Sequence, residues 1–428
     1  MQHEYARRVL GSSASIASNA NASPVVTAVE WGFASLDKVA LNALVWHCIL
    51  ARRDGCDDQF EAQGGTLGSL LDLFAAADRK PIDPFASGTP EPTTRQNSIS
   101  NTLSRGKLTL IVYRPFHNTD PPKLIDLWNA ADLGRGAAVG FSCDAFDSLV
   151  LAEPYFDRRG LIVACDGDDV IGYVHAGFGA NDAGSALDYT AGVICIVMVH
   201  PRYRRRGIGR ELIVRAENYL TSRGAVELFA GEAPPRCPFY LGLYGGAESA
   251  GFLESDINAA PFFSKLGYVP ASRRLVFRRD ITQKSETFDP RFPALRRKVQ
   301  LEIRDHPPNA SWWWMTRQGR LDSLCFVIVP LAGEETLAIV TCWGMDFHSM
   351  TWGQRTVGLT DVFVPVAHRR QAFAKVLLLE VIRRMRDELV THAEIVAPES
   401  HPAAGEMCRK LGFQQVDTGV VYQRSVKA

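Results

Sequence analysis

The chain has 428 residues, of which 46% are apolar, 22% charged and 10% aromatic, with 35 Gly and 23 Pro. That balance excludes collagen, coiled coil and wholesale disorder, and the length predicts two or three domains, each large enough to bury a core without staples. Lys plus Arg and Asp plus Glu both number 47, so net charge offers no argument for a nucleic-acid or membrane partner.

The nine cysteines are scattered, from Cys48 to Cys408, and form no cluster of metal-ligand spacing. A reduced, cytoplasmic setting and no metal are the expectation. Several cysteines, such as Cys195 in Val193-Ile194-Cys195-Ile196, sit in apolar runs as small buried hydrophobes do. No segment reaches the roughly 18 to 20 apolar residues of a membrane span. The nearest, Val39 to Leu50, is interrupted by Asn42 and His47.

Residues 1–105 read as a low-complexity leader, poorly ordered. Gly11 to Pro24 is rich in Ser, Ala and Asn, and Arg79 to Ser104 carries four prolines among polar residues. Regular patterning starts at Lys107. Leu108 to Tyr113 is a predicted strand, and Pro122 to Ala131 a helix with Pro in its first turn. Gly160 to Cys165 and Val170 to Phe178, joined by Asp166-Gly-Asp-Asp169, form a predicted hairpin. Gly192 to Val199 is a fully apolar strand. Gly207 to Arg223, with apolar residues at 208, 212, 213, 216, 219 and 220, is an amphipathic helix stopped by Gly224. Val226 to Ala230 follows as a strand.

The same order recurs further on: strands Leu324 to Val329, Thr336 to Trp343 and Val357 to Val364, an Arg-rich loop, helix Ala372 to Leu389 and strand Ala393 to Ala397. Arg204-Arg-Arg-Gly-Ile-Gly209 aligns with Arg369-Arg-Gln-Ala-Phe-Ala374 at an offset of 165 residues, which also places Val199 on Val364. Two copies of one domain are expected, at 106–280 and 295–428, with residues 281–294 as linker.

The stretch that carries chemistry is Val197-Met-Val-His-Pro-Arg-Tyr-Arg-Arg-Arg-Gly-Ile-Gly-Arg210: a strand, an Arg-rich loop with two glycines, then a helix. A helix start offers unpaired amides and the positive end of a dipole, glycines admit a phosphate to the backbone, and arginines add charge. A phosphorylated ligand is implied. GxxxxGK[ST] is absent, and the third glycine of a dinucleotide fingerprint is missing. A nucleic-acid contact is disfavoured by the balanced charge and by the lack of base-stacking aromatics between the arginines.

Here the sequence resembles the GNAT superfamily of acetyl-CoA-dependent N-acetyltransferases, whose signature [Q/R]-x-x-G-x-[G/A] is matched by Arg204-Arg-Arg-Gly-Ile-Gly209. Phe262-Phe-Ser-Lys-Leu-Gly-Tyr268 looks like the family's closing segment. The resemblance implies an α/β (α+β) fold of two tandem GNAT-like domains, each a mixed, mostly antiparallel sheet flanked by helices. It implies an acetyl-CoA site made of Arg204, Arg205, Arg206, Gly207, Ile208, Gly209 and Arg210, the amides of Arg205 to Arg210 taking the diphosphate. Val197, Met198 and Val199 would hold the pantetheine arm where the fourth and fifth strands splay. The implied reaction is direct acyl transfer to the amine of a small-molecule or peptide acceptor by a monomer or homodimer. A non-catalytic CoA-binding regulatory or scaffold protein is the alternative.

The proton-transfer groups are less defined. The position where many members carry a Tyr falls on Phe263, and the usual Asn on Asp256. Tyr240 or Tyr244 could substitute as acid, or serve as packing. Glu232, Glu248 and Asp256 are candidate bases, none privileged by spacing, and the loop Glu232 to Glu254 is the expected place for acceptor contacts. In the second copy Ala372 replaces the first signature glycine and Phe373 takes the Ile208 position, so its motif is degenerate. Its closing segment has Cys408 at the Tyr position and His401 at the Asn position. Asp361, inside an apolar strand, is either a base or a backbone-bonded carboxylate, and Ser311-Trp-Trp-Trp-Met315 is either a binding wall or an interdomain seam.

Overall fold

The computed structural model describes residues 110–283 and 292–425; the leader and most of the expected linker lie outside the described residues. The first half contains strands β1 (Val112–Pro115), β2 (Leu161–Asp166), β3 (Asp169–Ala180), β4 (Leu187–Val199) and β5 (Glu227–Ala230). Between them run helices α1 (Pro121–Ala130), α2 (Cys143–Phe146) and α3 (Ile208–Ser222). Strand β6 (Phe252–Leu253), helix α4 (Ala259–Lys265) and strand β7 (Val269–Asp280) follow. The second half runs α5 (Phe292–Arg296), β8 (Val299–Arg304), α6 (Trp312–Arg317), β9 (Ser323–Pro330) and β10 (Ala338–Gly344). It continues with α7 (Ser349–Trp352), β11 (Thr356–Phe363), α8 (Phe373–Asp387), β12 (His392–Pro398), α9 (Pro402–Lys410) and β13 (Gln414–Ser425).

The elements form where apolar periodicity places them. β2 and β3 turn at Gly167, whose φ of +62° a side chain would resist. The centres of β3 and β4 are buried without alternation because helices cover them. α3 lays Ile208, Leu212, Ile213, Ala216 and Leu220 inward, and α1 contributes Leu124, Leu127 and Trp128. No helix among the described residues is long and apolar enough to cross a membrane.

The strands join in a single mixed sheet ordered β1-β2-β3-β4-β5-β13-β7-β12-β11-β10-β9-β8, with β6 appended to β13. Pairing is antiparallel except at β4–β5 and β11–β12, equivalent positions in the two halves. The closing strands are exchanged. β7, at the end of the first half, pairs with β12, while β13, at the end of the chain, pairs with β5. The two also pair with each other along most of their length. The 106–280 and 295–428 segments therefore do not each complete a sheet alone, and β7 holds Arg279 and Asp280 at the edge of the expected linker.

Buried polar groups tie the halves together as well. Glu394 of β12 is fully buried; its Oε1 accepts from the Ala247 amide at 3.0 Å and its Oε2 pairs with Arg135 at 2.8 Å. Arg135 and Arg278 both lie over the Trp352 ring, at 5.0 and 4.1 Å. Removing one partner of such a buried pair strands the other, so the seam resists separation.

Candidate active site

The site begins where β4 and β5 part. Their parallel pairing ends at Ile194 opposite Ala230, and the Gly231 amide makes a last bond to the Ile194 carbonyl at 2.9 Å. At the same level the β3–β4 register slips between His175 and Ala176, leaving Cys195 as the extra residue of a bulge. Past the bulge, Val197, Met198 and Val199 pair with β3 but not with β5, so one strand edge is left for a ligand.

These three residues line a cavity of about 600 Å³ that runs to the turn before α3 and is closed by Phe252, Phe262, Phe263 and Leu266. The turn has a particular backbone: a 3-10 segment Pro201–Tyr203, then left-handed φ at Arg205 (+63°) and Gly207 (+83°). None of the amides of Arg205 through Arg210 donates to an acceptor among the described residues; the first bonded amide is Glu211, to the Gly207 carbonyl at 3.0 Å. A Cβ built on Gly207 meets nothing within 4 Å, whereas one on Gly209 would press on the Phe262 ring at 3.1 Å. Gly207 therefore serves the turn's conformation and leaves space before the amides, and Gly209 serves the packing of α4 on α3. An open row of donors at a helix start, with exposed Arg205, Arg206 and Arg210 around it, fits a diphosphate.

Arg204 differs from its neighbours. Its Nε donates to the Val199 carbonyl at 3.0 Å and its Nη2 to the Ala131 carbonyl, so the guanidinium clamps strand end, turn and α1 end together. Arg206 is bonded to the Arg202 carbonyl at 3.0 Å and lies 5.0 Å over the Tyr203 ring. The second half repeats the frame: Arg370 and Ala372 have φ of +62° and +68°, and Arg369 Nε donates to the Val364 carbonyl at 3.1 Å. The degenerate copy thus keeps the turn while placing a methyl at a position where the first half has none.

One cavity side chain, Arg424, and the ring behind another, Tyr422, come from β13, far away in sequence. Tyr422 stacks on fully buried Phe263 at 5.3 Å, and Arg424 reaches the lining, held by Glu217 at 2.7 Å and the Leu266 carbonyl at 3.0 Å. Tyr240 and Tyr244, the expected substitutes for an acid, are core residues. Tyr240 stacks on Trp128 at 5.8 Å and bonds buried His175 at 3.1 Å, while the Tyr244 hydroxyl accepts from the Leu253 amide at 3.2 Å. Burial pushes His175 down to about 3, so it is a neutral packing group.

The three candidate bases separate in space. Glu232 follows the end of β5 and is buried beside the bulge; it touches Cys195, and its Oε1 accepts from the Phe239 amide at 2.7 Å. Burial pushes its carboxyl up to about 8, against the pull of the Phe239 amide. Glu248 is paired with Arg274 at 2.9 Å, and burial raises its pKa. Asp256 lines the cavity instead and accepts from the Asn258 amide at 3.0 Å, which puts it on the side of the ligand's phosphates and arm. Among the described residues no group of His, Cys, Asp and Glu side chains could hold a metal ion.

The family model described as the acetyltransferase (GNAT) family matches residues 136–243, which hold the bulged strand, the amide row and Glu232. Across 321 residues, 94% of its length, the mycothiol acetyltransferase of Salinispora arenicola (strain CNS-205) is 26% identical. A tandem GNAT protein from the clavulanic acid biosynthesis pathway superposes with a TM-score of 0.53 at 18% identity, covering 74% of this chain and 99% of that one. The GCN5-related glucosamine N-acetyltransferase region of a fungal multi-domain GH3 β-N-acetylglucosaminidase gives 0.57 at 15% identity, over 76% of this chain and 40% of that one. Residues 136–243 thus match the GNAT acetyltransferase family, and the described fold is shared with the tandem GNAT protein.

The second half also packs α6 against the first half. α6 is capped by Ser311, whose Oγ accepts from the Trp314 amide at 3.2 Å, and the Trp313 amide bonds the Gly184 carbonyl at 3.0 Å. The Trp313 ring lies 5.1 Å from that of Tyr155, whose hydroxyl donates to the Pro238 carbonyl at 2.8 Å. Asp361, at φ +53° where the β10–β11 register slips, accepts from Trp314 Nε1 at 2.9 Å. The Trp run is therefore the seam, and Asp361 is tied to it.

Proposed function

We propose that this GNAT protein transfers an acetyl group from acetyl-CoA to the amine of a small-molecule acceptor, directly within a ternary complex, at the first half's site. The open amide row of Arg205 through Arg210, continuous with the unpaired edge Val197–Val199, is the observation that carries this reading. The relatives named for mycothiol and for glucosamine support an acceptor of small-molecule size.

Bound acetyl-CoA would supply a thioester carbonyl open to attack. The chain's part is to hold the diphosphate on the amide row and lay the pantetheine arm along Val197, Met198 and Val199. That places the acyl group near the bulge at Cys195, the arrangement that turns a bimolecular encounter into an oriented one. Glu232 is the base we assign: a carboxyl with a pKa of about 8 accepts the ammonium proton far more readily than a solvated carboxylate. The loop that starts at Glu232 supplies acceptor contacts, with α6 opposite. Phe263 favours a second reading, a CoA-binding protein without turnover, since it offers no proton to a departing thiolate. Thiol release with a panel of amines separates the two: release above the hydrolysis rate supports transfer, and tight acetyl-CoA binding without release supports the alternative.

A further inference from the structure

The end of α6, near Glu232, carries a cation with no ion-pair partner among the described residues. Arg317, the last residue of α6, has a buried Nε with no hydrogen-bond acceptor, and it forms no ion pair among the described residues. The charged or ionisable groups that face it are Cys237, Tyr155, Glu232 and Glu248, with Glu153 nearby. None of these carboxylates pairs with Arg317, although Glu153 keeps an unpartnered Oε2. Glu248 is paired with Arg274 at 2.9 Å, Glu153 lies 3.8 Å from Arg320, and Glu232 accepts from the Phe239 amide at 2.7 Å. The guanidinium lies over the Trp313 ring, 5.6 Å from its centroid, and α6 is pinned at Ser311, Trp313 and Trp314, so it is held in place rather than swept through solvent.

A half-buried guanidinium with an unmade bond at its buried Nε is unfavourable, and the group that satisfies it best is a planar, bidentate oxyanion. Burial holds the Glu153 and Glu232 carboxyls up, at about 7 and about 8, so they offset this charge only in part before an acceptor arrives. We propose that Arg317 binds a carboxylate of the acceptor, so that the substrate class is zwitterionic: an amino acid or a compound carrying both amine and carboxylate. This rests on the transferase reading above. The amine goes to Glu232 at the bulge and the carboxylate to Arg317 at the end of α6, which makes Arg317 a specificity-determining residue.

The test uses the full chain loaded with CoA and matched probes: glycine, alanine and glutamate, their carboxamides, and the corresponding decarboxylated amines. Calorimetry should show the amino acids binding at least about tenfold more tightly than their amides, equivalent to about 1.4 kcal/mol. In Arg317→Met that ratio should fall to near one, and Arg317→Lys should keep part of it. Unaltered acetyl-CoA affinity, which reports on the cavity at the amide row, shows that the variants are folded. Equal affinity for carboxylate and amide probes, no affinity for either, or a preference unchanged in Arg317→Met overturns the proposal. Thiol release is read in parallel: carboxylate-selective binding without release would contradict the transferase reading and leave the Arg317 site standing.

Discussion

Gly207 and Ala372 occupy the same place in two copies of one turn, and exchanging their side chains separates strain from occupancy. Gly207 has φ +83° and nothing within 4 Å of a built Cβ, so Gly207→Ala meets no clash and incurs only the left-handed penalty of roughly 1 kcal/mol. Ala372 already bears that penalty at φ +68°. Gly207→Ala should lower Tm by about 2 °C and weaken acetyl-CoA binding only modestly. Gly207→Glu carries the same strain but adds a carboxylate where the diphosphate belongs. At 4 to 5 Å and an effective dielectric near 20 the repulsion is about 3 to 4 kcal/mol per charge pair, reduced by salt at an open turn. A loss of at least about 100-fold in acetyl-CoA affinity is expected, with a Tm shift no larger than that of the alanine variant. Ala372→Glu should leave affinity unchanged. Titration calorimetry and scanning calorimetry on the three variants decide it. Wild-type affinity in Gly207→Glu, or loss in Ala372→Glu, would refute the assignment of the working turn.

Glu232→Gln should lower kcat by about 100-fold or more while acetyl-CoA affinity stays the same, and wild-type activity should rise with pH through about 8 as the base loses its proton. Because its folded pKa lies above the unfolded value, Glu232 favours the folded state at low pH. That contribution is lost as pH rises from about 4.5 to 8, so Glu232→Gln should melt above wild type at pH 8 and with it near pH 4. Arg204→Ala should lower Tm by several degrees through loss of the clamp on Val199 and Ala131, whereas Arg205→Ala should leave Tm alone and weaken acetyl-CoA binding a few-fold. A chain ended at Phe413 loses β13 from the centre of the sheet, so both halves should unfold together, seen as loss of the whole calorimetric transition rather than half of it.

Most strands and the two long helices stand where periodicity put them, because α3 and α8 each bury one stripe and the central strands are apolar on both faces. The hairpin at Gly167 and the paired turns at Gly207 and Ala372 were legible for the same local reasons. The exchange of β7 and β13 was not, since a closing strand has the same alternation whichever half it completes. Arg424 was therefore invisible as a cavity residue, and Tyr422 as the ring that backs Phe263. Glu232, Glu248 and Asp256 looked alike in sequence; only the fold shows one buried at the bulge, one paired with Arg274 and one facing the ligand cavity. Arg317 carried no sequence signal, because its significance lies in the partner it lacks.

A crystal structure of the full chain with acetyl-CoA is the most direct test of the central claim. The account predicts diphosphate density on the amides of Arg205 through Arg210, with the arm along Val197–Val199 and the thioester at the Cys195 bulge. Density only at the Arg370–Ala374 turn, or none at saturating ligand, would contradict it.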